Sequence, residues 1–417
     1  MAVPSYLRVL QGAGFLAGAP VIKGIPIWQG PGIQAVRLIL ERYVDLVAAR
    51  DEPTVVTHPF LSSATVNRSV FGAYDNVYEV LDAPGHPDAQ FRSDNIATVV
   101  PRLLEERSSS PVVSVGEVIR DAPGKTPPMF RDRNVWPVVE LNQLAGDTDG
   151  RELLDFYAQV VTELLRSMGI PCLTVETPAM AEYGKTSYVT VGVLPSRRPT
   201  VLATLYILND RLRLALGADQ DVIDIGFTGK MLAMTAMLHA DSRGLVLPSA
   251  IAPVQVGVTV GPKAPPERYD RWLADLRRAG LRCATRVART PGARTRAEHA
   301  WHRAGVPLVI GLDREPGSVV ACTRLPLTRE ALPDLPGPAR LRALLAAGDG
   351  RLADRAQRVF DTGMARGEHL RSMCRPCADA LGLAVFGTLA PQAAVPCERC
   401  GDPLGERLFI SEEGRFY

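Results

Sequence analysis

Residues 223–256 read IDIGFTGKMLAMTAMLHADSRGLVLPSAIAPVQV. Gly226 predicts a polar glycine turn, after which a helix opens near Thr228. Met231, Leu232, Met234, Thr235 and Leu238 recur at helical spacing. Asp241 and Gly244 carry the stop chemistry that ends such a helix. A short apolar run at 245–247 meets Pro248, and a strand pattern at 254–260 begins after Pro253. A polar turn, an apolar helix with Lys230 in its first turn, then a strand: that succession suits the wall of an active site.

Towards the N-terminus, strand patterns stand at 187–194 and 199–208, preceded by a helix at 152–168 that Gly169 stops and a strand at 172–176. Two further strands, 112–120 and 134–141, flank the polar loop DAPGKTPPMFRDR. An amphipathic helix at 34–49 places Val36, Ile39, Leu40, Tyr43, Leu46 and Val47 on one face. A β-branched strand at 53–60 closes at Pro59, and residues 5–32 read as glycine-rich loop and short strand. Towards the C-terminus the rhythm is strand 254–260, helix 266–279, strand 281–288, helix 296–304, then strands 307–312 and 318–324. That alternation predicts a small α/β domain. The joint LPDLPGPA at 332–339 leads into helices over 340–373 and then a cysteine-bearing tail. The expected division is 1–250, 251–338 and 339–417.

With 46% hydrophobic and 22% charged residues, the chain has the make-up of a soluble globular protein. A net charge of +2 provides no global field for nucleic acid. Of its 47 basic residues 42 are Arg and only 5 Lys, so each lysine marks a place where arginine did not drift in. The N-terminus lacks a basic segment and a continuous apolar core, and no run reaches the ~18 apolar residues of a membrane helix. Seven cysteines, four of them in two CxxC pairs, suit a reducing compartment, and a cytoplasmic protein is expected.

Cys374-x2-Cys377-x19-Cys397-x2-Cys400 has the spacing of two zinc knuckles, which would hold one structural Zn2+ with four thiolates. A redox CxxC or unrelated thiols are the alternatives. Cys172, Cys283 and Cys322 fall in strand patterns and read as small buried hydrophobes. Arg120, Arg131 and Arg133 bracket the polar loop, where guanidiniums can recognise phosphate in bidentate fashion or pair with Asp121 and Asp132. The α/β domain is dense in arginine, either as an RNA-facing surface or as a solvated one. Trp301 reads as core there, with His299 and His302 half exposed or stacking on bases.

HADSRGLVLPSAIAPVQV resembles the third signature, and the strand after it, of class II aminoacyl-tRNA synthetases of the prolyl type. GAGFLAGAP with Pro59 resembles the first signature, and EVIRDAPGKTPPMFRDRNVWPVVE the second. HRAGVPLVIGLDRE is similar to that family's anticodon-binding domain, and the tail cysteines with Tyr417 to the zinc-bearing domain of its archaeal- and eukaryal-type members. The resemblance covers nearly the whole chain. About 80 residues separate Asp147 from Gly226, so the large editing insertion of some bacterial members is absent.

The resemblance implies an α/β (α+β) fold: an antiparallel catalytic sheet flanked by helices, a small α/β anticodon-binding-like domain and a C-terminal zinc domain. It implies a homodimer, and ATP with Mg2+ activating an amino acid to an acyl adenylate. Arg120, Arg131 and Lys230 would be catalytic, with Arg133, Val135 and Gly226 completing the nucleotide site. Ser93, Asp94, Asn95, Glu140, Thr204 and Tyr206 would face the amino acid.

The departures are as informative. A glutamate usual two places after the second signature's arginine is here Ala122, and the adenine-stacking aromatic is Val135, beside Trp136. The third signature's arginine is Lys230, which keeps the charge and loses the planar fork. The proline-reading Thr-x-Glu falls on FRSDN, and the Thr-Ser-His that closes the pocket falls on Thr204-Leu205-Tyr206. Changing several substrate-reading groups together points to a paralogue that activates an acid other than plain proline, and transfers it to tRNA, a small amine or a carrier. The alternatives are a non-catalytic tRNA- or partner-binding relative and an ordinary proline–tRNA ligase.

Overall fold

The structure, a computed structural model, describes residues 5–18, 25–71, 85, 88–120, 129–130, 134–261, 266–312, 319–390 and 394–411. Its centre is a ten-stranded sheet. From one edge the strands run Thr54–Val56, Val112–Ile119, Asn134–Leu144, Val222–Thr228, Pro199–Leu208, Gly184–Val193 and Leu173–Glu176. Val385–Leu389, Glu406–Ile410 and Leu370–Met373 from the tail complete the sheet. The first pair is parallel and every other pair antiparallel.

Two long helices cover one face of this sheet. Gly30–Val47 buries Ala35, Val36, Ile39, Tyr43 and Val47, the i, i+3/i+4 stripe expected of it. Gly150–Ser167 starts where the Asp149 carboxylate accepts from the N–H groups of Arg151 (2.7 Å) and Glu152 (3.2 Å). It ends at Met168, with Gly169 in the left-handed region at φ +64°. His239 Nε2 donates to the buried Met168 carbonyl at 3.1 Å, which satisfies one of the orphan acceptors of that helix end. A Cβ on Gly169 would lie 2.9 Å from that imidazole. Gly169→Ala is therefore expected to cost about 1–2 kcal/mol in urea unfolding through the αL strain alone, before any clash with His239.

The helix expected after Gly226 runs Lys230–His239, and Met231, Leu232, Ala233, Met234, Thr235, Ala236, Leu238 and His239 are all buried. It is apolar nearly all round because it lies between the sheet, the helix Tyr6–Gly12 and the long helix Pro338–Arg366. The glycine turn expected at Gly226 is not there. Gly226 sits inside the strand Val222–Thr228, and Gly229 precedes the helix. The period-two alternation of Asp224, Gly226 and Thr228 outweighs the turn preference of one glycine once strands pair on both sides.

The α/β unit follows the predicted rhythm, with strands Cys283–Val287, Val256–Val260 and Leu308–Leu312 parallel and Val319–Thr323 and Thr328–Leu332 antiparallel. Helices Pro266–Arg278 and Pro291–Arg303 accompany them, the second starting five residues earlier than expected because Pro291 occupies its first turn. Trp301 is core and rests on Gly257, where a Cβ would come within 2.8 Å of the indole. His302 is buried beside it and only His299 is exposed, correcting the half-exposed expectation for His302. Cys322 is buried, whereas Cys172 and Cys283 are partly exposed. The helical region expected over 340–373 is one 29-residue helix, Pro338–Arg366, followed by the strand Leu370–Met373.

Candidate active site

Three strands set the floor of one cleft. Glu140, Gly226 and Thr204 stand opposite one another across them, and two residues along stand Asn142, Asp224 and Tyr206. Both rungs point to the same face, since side chains alternate along a strand. Gly226 leaves the middle of the first rung open; a Cβ there would touch Thr204 Oγ1 at 3.6 Å. The cleft has a volume of about 620 Å3, and its lining includes Asp94, Arg120, Val135, Glu140, Thr204, Tyr206, Asp224, Gly226 and Lys230.

The loop carrying Arg92 to Asn95 forms one rim. Arg120 donates from Nε (3.0 Å) and Nη2 (2.7 Å) to the Ser93 carbonyl, and Ile119 N–H donates to Arg92 O at 2.9 Å. Arg92 is buried against Gly116, with its Nη2 on the Glu117 carbonyl (2.7 Å) and its Nε on the Pro59 carbonyl (2.9 Å). Its Nη1 donates to Asn95 Oδ1, and Asn95 Nδ2 donates to Glu140 Oε2 at 3.0 Å. A buried cation thus reaches Glu140 through an amide. At the other end, Lys230 Nζ donates to Val201 O (2.9 Å) and lies 5.4 Å from the centre of the Phe130 ring.

Three carboxyl groups meet inside the cleft. Burial, and then the Asp94 charge, push Asp224 up to about 8 despite a 2.9 Å hydrogen bond from Asn142 Nδ2. Burial, with Asp94 and Asp224 adding to it, holds Glu140 well above the usual carboxylate range. Asp94 is also raised by burial, against the pull of Arg120. Since the folded state of Asp224 titrates near 8 and the reference value is 3.8, its contribution to stability is full below about 3.8 and is lost as pH rises through about 8. Urea midpoints between pH 5 and 8.5 should fall with rising pH and fall less in Asp224→Asn. The difference in slope is bounded at about 1.4 kcal/mol per pH unit for one proton.

Of the residues expected in the site, Asp94, Arg120, Val135, Glu140, Thr204, Tyr206, Gly226 and Lys230 line this cleft. Ser93 and Asn95 are buried behind its rim. Arg131, Arg133 and Ala122 lie outside the described residues. Trp136 turns away from the cleft and packs edge-on against Trp28, with ring centroids 4.7 Å apart. Sequence reasoning missed Arg92, Phe130, Asn142 and Asp224. The alternation of polar Asp224 and Thr228 about Gly226 was the available signal for Asp224.

The four tail cysteines also converge. Their sulfurs all lie within 4.8 Å of one another, and Cys374 Sγ is 3.7 Å from Cys400 Sγ. Four thiolates at Zn–S ≈ 2.3 Å stand about 3.8 Å apart at the corners of a tetrahedron, so the set fits a zinc ion. Backbone hydrogen bonds from Cys374 and Cys400 lower the Cys397 thiol to about 6. Glu298, His302 and Cys322 form a second compact group, but Arg329 Nη2 already holds Glu298 Oε1 at 2.6 Å.

The sheet, the floor of the cleft and the appended α/β unit define the architecture of a class II aminoacyl-tRNA synthetase. Within that class the similarity is to the prolyl type. The chain is 22% identical to the proline–tRNA ligase of Ignicoccus hospitalis over 342 residues, covering 70% of this chain and 68% of that one. It is 22% identical to that of Methanopyrus kandleri over 395 residues, 87% and 81% of the two chains. With the proline–tRNA ligase of Methanocorpusculum labreanum identity is 25% over 224 residues, and the match spans under half of that relative (46%) and of this chain (48%). Prolyl-tRNA synthetase of Giardia lamblia in complex with prolyl-adenylate superposes with a TM-score of 0.80 at 16% identity, covering 99% of this chain and 97% of that one. The enzyme from Cryptosporidium parvum complexed with L-proline and AMP gives 0.78 at 16% identity, covering 100% and 98%. No protein-family model matches. The chain is thus similar, at low identity, to the archaeal proline–tRNA ligases and has the fold of the prolyl synthetases.

Proposed function

We propose that this protein activates an amino acid with MgATP to an acyl adenylate and passes the acyl group to an acceptor. The observation that carries this reading is convergence. Asp94, Arg120, Glu140, Thr204, Gly226 and Lys230, from five separate segments, line one cleft on the fold of the prolyl synthetases. In this reading Arg120 faces the phosphates, and Arg131, outside the described residues, keeps the catalytic role that the resemblance implies. Lys230 adds positive charge at the Val201 end of the cleft. Preorganised cations of this kind are worth about 3–4 kcal/mol each when aimed at charge that develops in the transition state. Gly226 and Val135 leave room for the nucleotide, and the carboxyl-lined floor receives the amino acid. ATP–pyrophosphate exchange across a panel of amino acids tests this reading, and silence with every acid would end it.

The finer reading is a substrate other than plain proline. Its support is the set of substituted groups around the floor: Asp94 and Asn95 at the rim, and Tyr206 beside Asp224. The second reading, a proline–tRNA ligase, is favoured by the names of the relatives. Robust formation of prolyl-tRNA would select it. For the acceptor, tRNA is supported by a second cleft of about 490 Å3 lined by Ser242, Arg243, Arg296, His299, His302 and Arg303. Its cationic lining suits a phosphate backbone. Acylation assays with tRNA against small amines separate the acceptors. A homodimer is supported by exposed Val55 on the edge strand of the main sheet and by exposed Phe60, Leu61 and Val66 in the segment that follows it. In the three-part division of the chain, the tail would carry structural zinc.

Metal analysis checks the last point. About one zinc per chain is expected in the purified protein, falling to near zero in the double variant Cys374→Ser, Cys400→Ser. A metal-free wild type with an unchanged melting temperature would remove zinc from the reading.

A further inference from the structure

The floor of the cleft carries more negative charge than one amino acid can answer. An α-ammonium group brings one positive charge, whereas Asp94, Glu140 and Asp224 all line the cleft. Among the described residues the two cations that line the cleft are placed elsewhere: Arg120 acts on Asp94 at the rim, and Lys230 sits at the Val201 end. Arg92 reaches Glu140 only through the Asn95 amide, so once Arg120 is set against Asp94 and the α-ammonium against one further carboxylate, either Glu140 or Asp224 remains without a cation in direct contact among the described residues.

Hydrogen-bond capacity runs in the same direction. Glu140 is 7% exposed, and its Oε1 has no hydrogen-bond partner although the side chain lines the cleft. Asn142, opposite Asp224, is fully buried and has spent its amide N–H on that carboxylate, leaving its Oδ1 without a donor. Thr204 and Tyr206 offer one hydroxyl each to this part of the cleft, and Glu140 Oε1 and Asn142 Oδ1 still have no donor. A buried acceptor left unmade is costly, so such a site favours a ligand that brings several N–H groups. The neighbouring walls, Val118, Val138, Leu202 and Ala203, have no polar side-chain atoms to offer.

We infer that the amino acid activated here carries a second protonated nitrogen on its side chain, which enters between Glu140 and Asp224. The class is a diamino acid or an amino-substituted cyclic imino acid. This rests on the synthetase reading of the cleft and sharpens it. In the empty site the excess charge is relieved by protonation, the direction in which burial already drives Glu140 and Asp224. Binding of the side-chain ammonium then takes the place of a carboxyl proton, which passes to solvent.

Matched pairs test the inference on the full-length protein: L-2,4-diaminobutyrate against L-norvaline, L-ornithine against L-norleucine, and 4-amino-L-proline against L-proline. Each is read by calorimetric binding and by ATP–pyrophosphate exchange. At least one cationic member is expected to exceed its neutral partner by roughly tenfold or more in both assays, because the neutral partner leaves the acceptors unpaired. Asp224→Asn, checked by its melting curve, should bring that ratio close to one. Neutral members that equal or exceed their cationic partners overturn the inference while leaving adenylate formation standing. Preferential binding of a diamino acid with no exchange for any acid overturns the synthetase reading and leaves standing only the side-chain ammonium subsite between Glu140 and Asp224. If none of the three cationic acids binds, the inference fails outright.

Discussion

Arg120→Ala is expected to lower ATP–pyrophosphate exchange by about 10^2–10^3-fold while leaving the fold in place. Arg120 closes the strand Val112–Ile119 at the mouth of the cleft, and its Nε and Nη2 are held by the Ser93 carbonyl. That clamp orients the guanidinium before substrate arrives, so little is lost to reorganisation when charge develops at the α-phosphate. Losing the donor to a carbonyl at a half-buried site should cost about 1 kcal/mol of stability, and the Asp94 carboxyl, which also loses the pull of Arg120, can stay protonated. The variant should therefore melt close to wild type and lose kcat more than KM. Arg120→Lys keeps the charge without the planar fork and should recover only a part of the rate. Exchange within threefold of wild type in Arg120→Ala would remove this residue from the chemistry.

Arg324→Ala should be the most destabilising single change considered, at about 3–5 kcal/mol in urea unfolding. Arg324 is 3% exposed and joins the α/β unit to the segment following the helix Lys230–His239. It donates to both carboxylate oxygens of Asp241 and to the carbonyls of Leu245 (2.9 Å), His302 (2.8 Å) and Gly244 (3.2 Å). Removing it leaves a partly buried carboxylate and three carbonyls with lost donors, so the cost is the desolvation of several groups at once. Nearby, Leu245–Val246 pairs in parallel with Ala304–Gly305, which on its own gives two rungs of sheet. The α/β unit should then melt apart from the sheet in the variant. A single transition shifted by less than about 1 kcal/mol would show that packing alone joins the two.

Much of the fold is legible in local pattern. The helices Gly30–Val47 and Gly150–Ser167 follow from their apolar stripes, and the end of the second from Gly169. The strand Pro199–Leu208 and the alternation of the α/β unit follow likewise. The cysteine spacing forecasts a four-sulfur cluster because two knuckles need only short-range geometry. Gly226 was misread because a lone glycine signals a turn locally, while two flanking strands, 80 residues away on one side, hold it extended. The tail strands joining the main sheet through Leu389 and Val175 likewise have no local signal.

What the sequence determined alone was a part of the inventory: the long helices, most strands of the α/β unit, and which four cysteines can share a metal, but not the helices Tyr6–Gly12 and Ile96–Glu106 or the tail strands. What only the tertiary structure decided was the company each charged side chain keeps. Asp94, Glu140 and Asp224 lie far apart along the chain and come together across two adjacent strands and a loop. Charge repulsion and desolvation depend on separation in space and on burial, neither of which is written in any one segment. The stretch from Asp224 to Lys230 therefore gains its meaning from the sheet around it, as the floor of an acidic cleft.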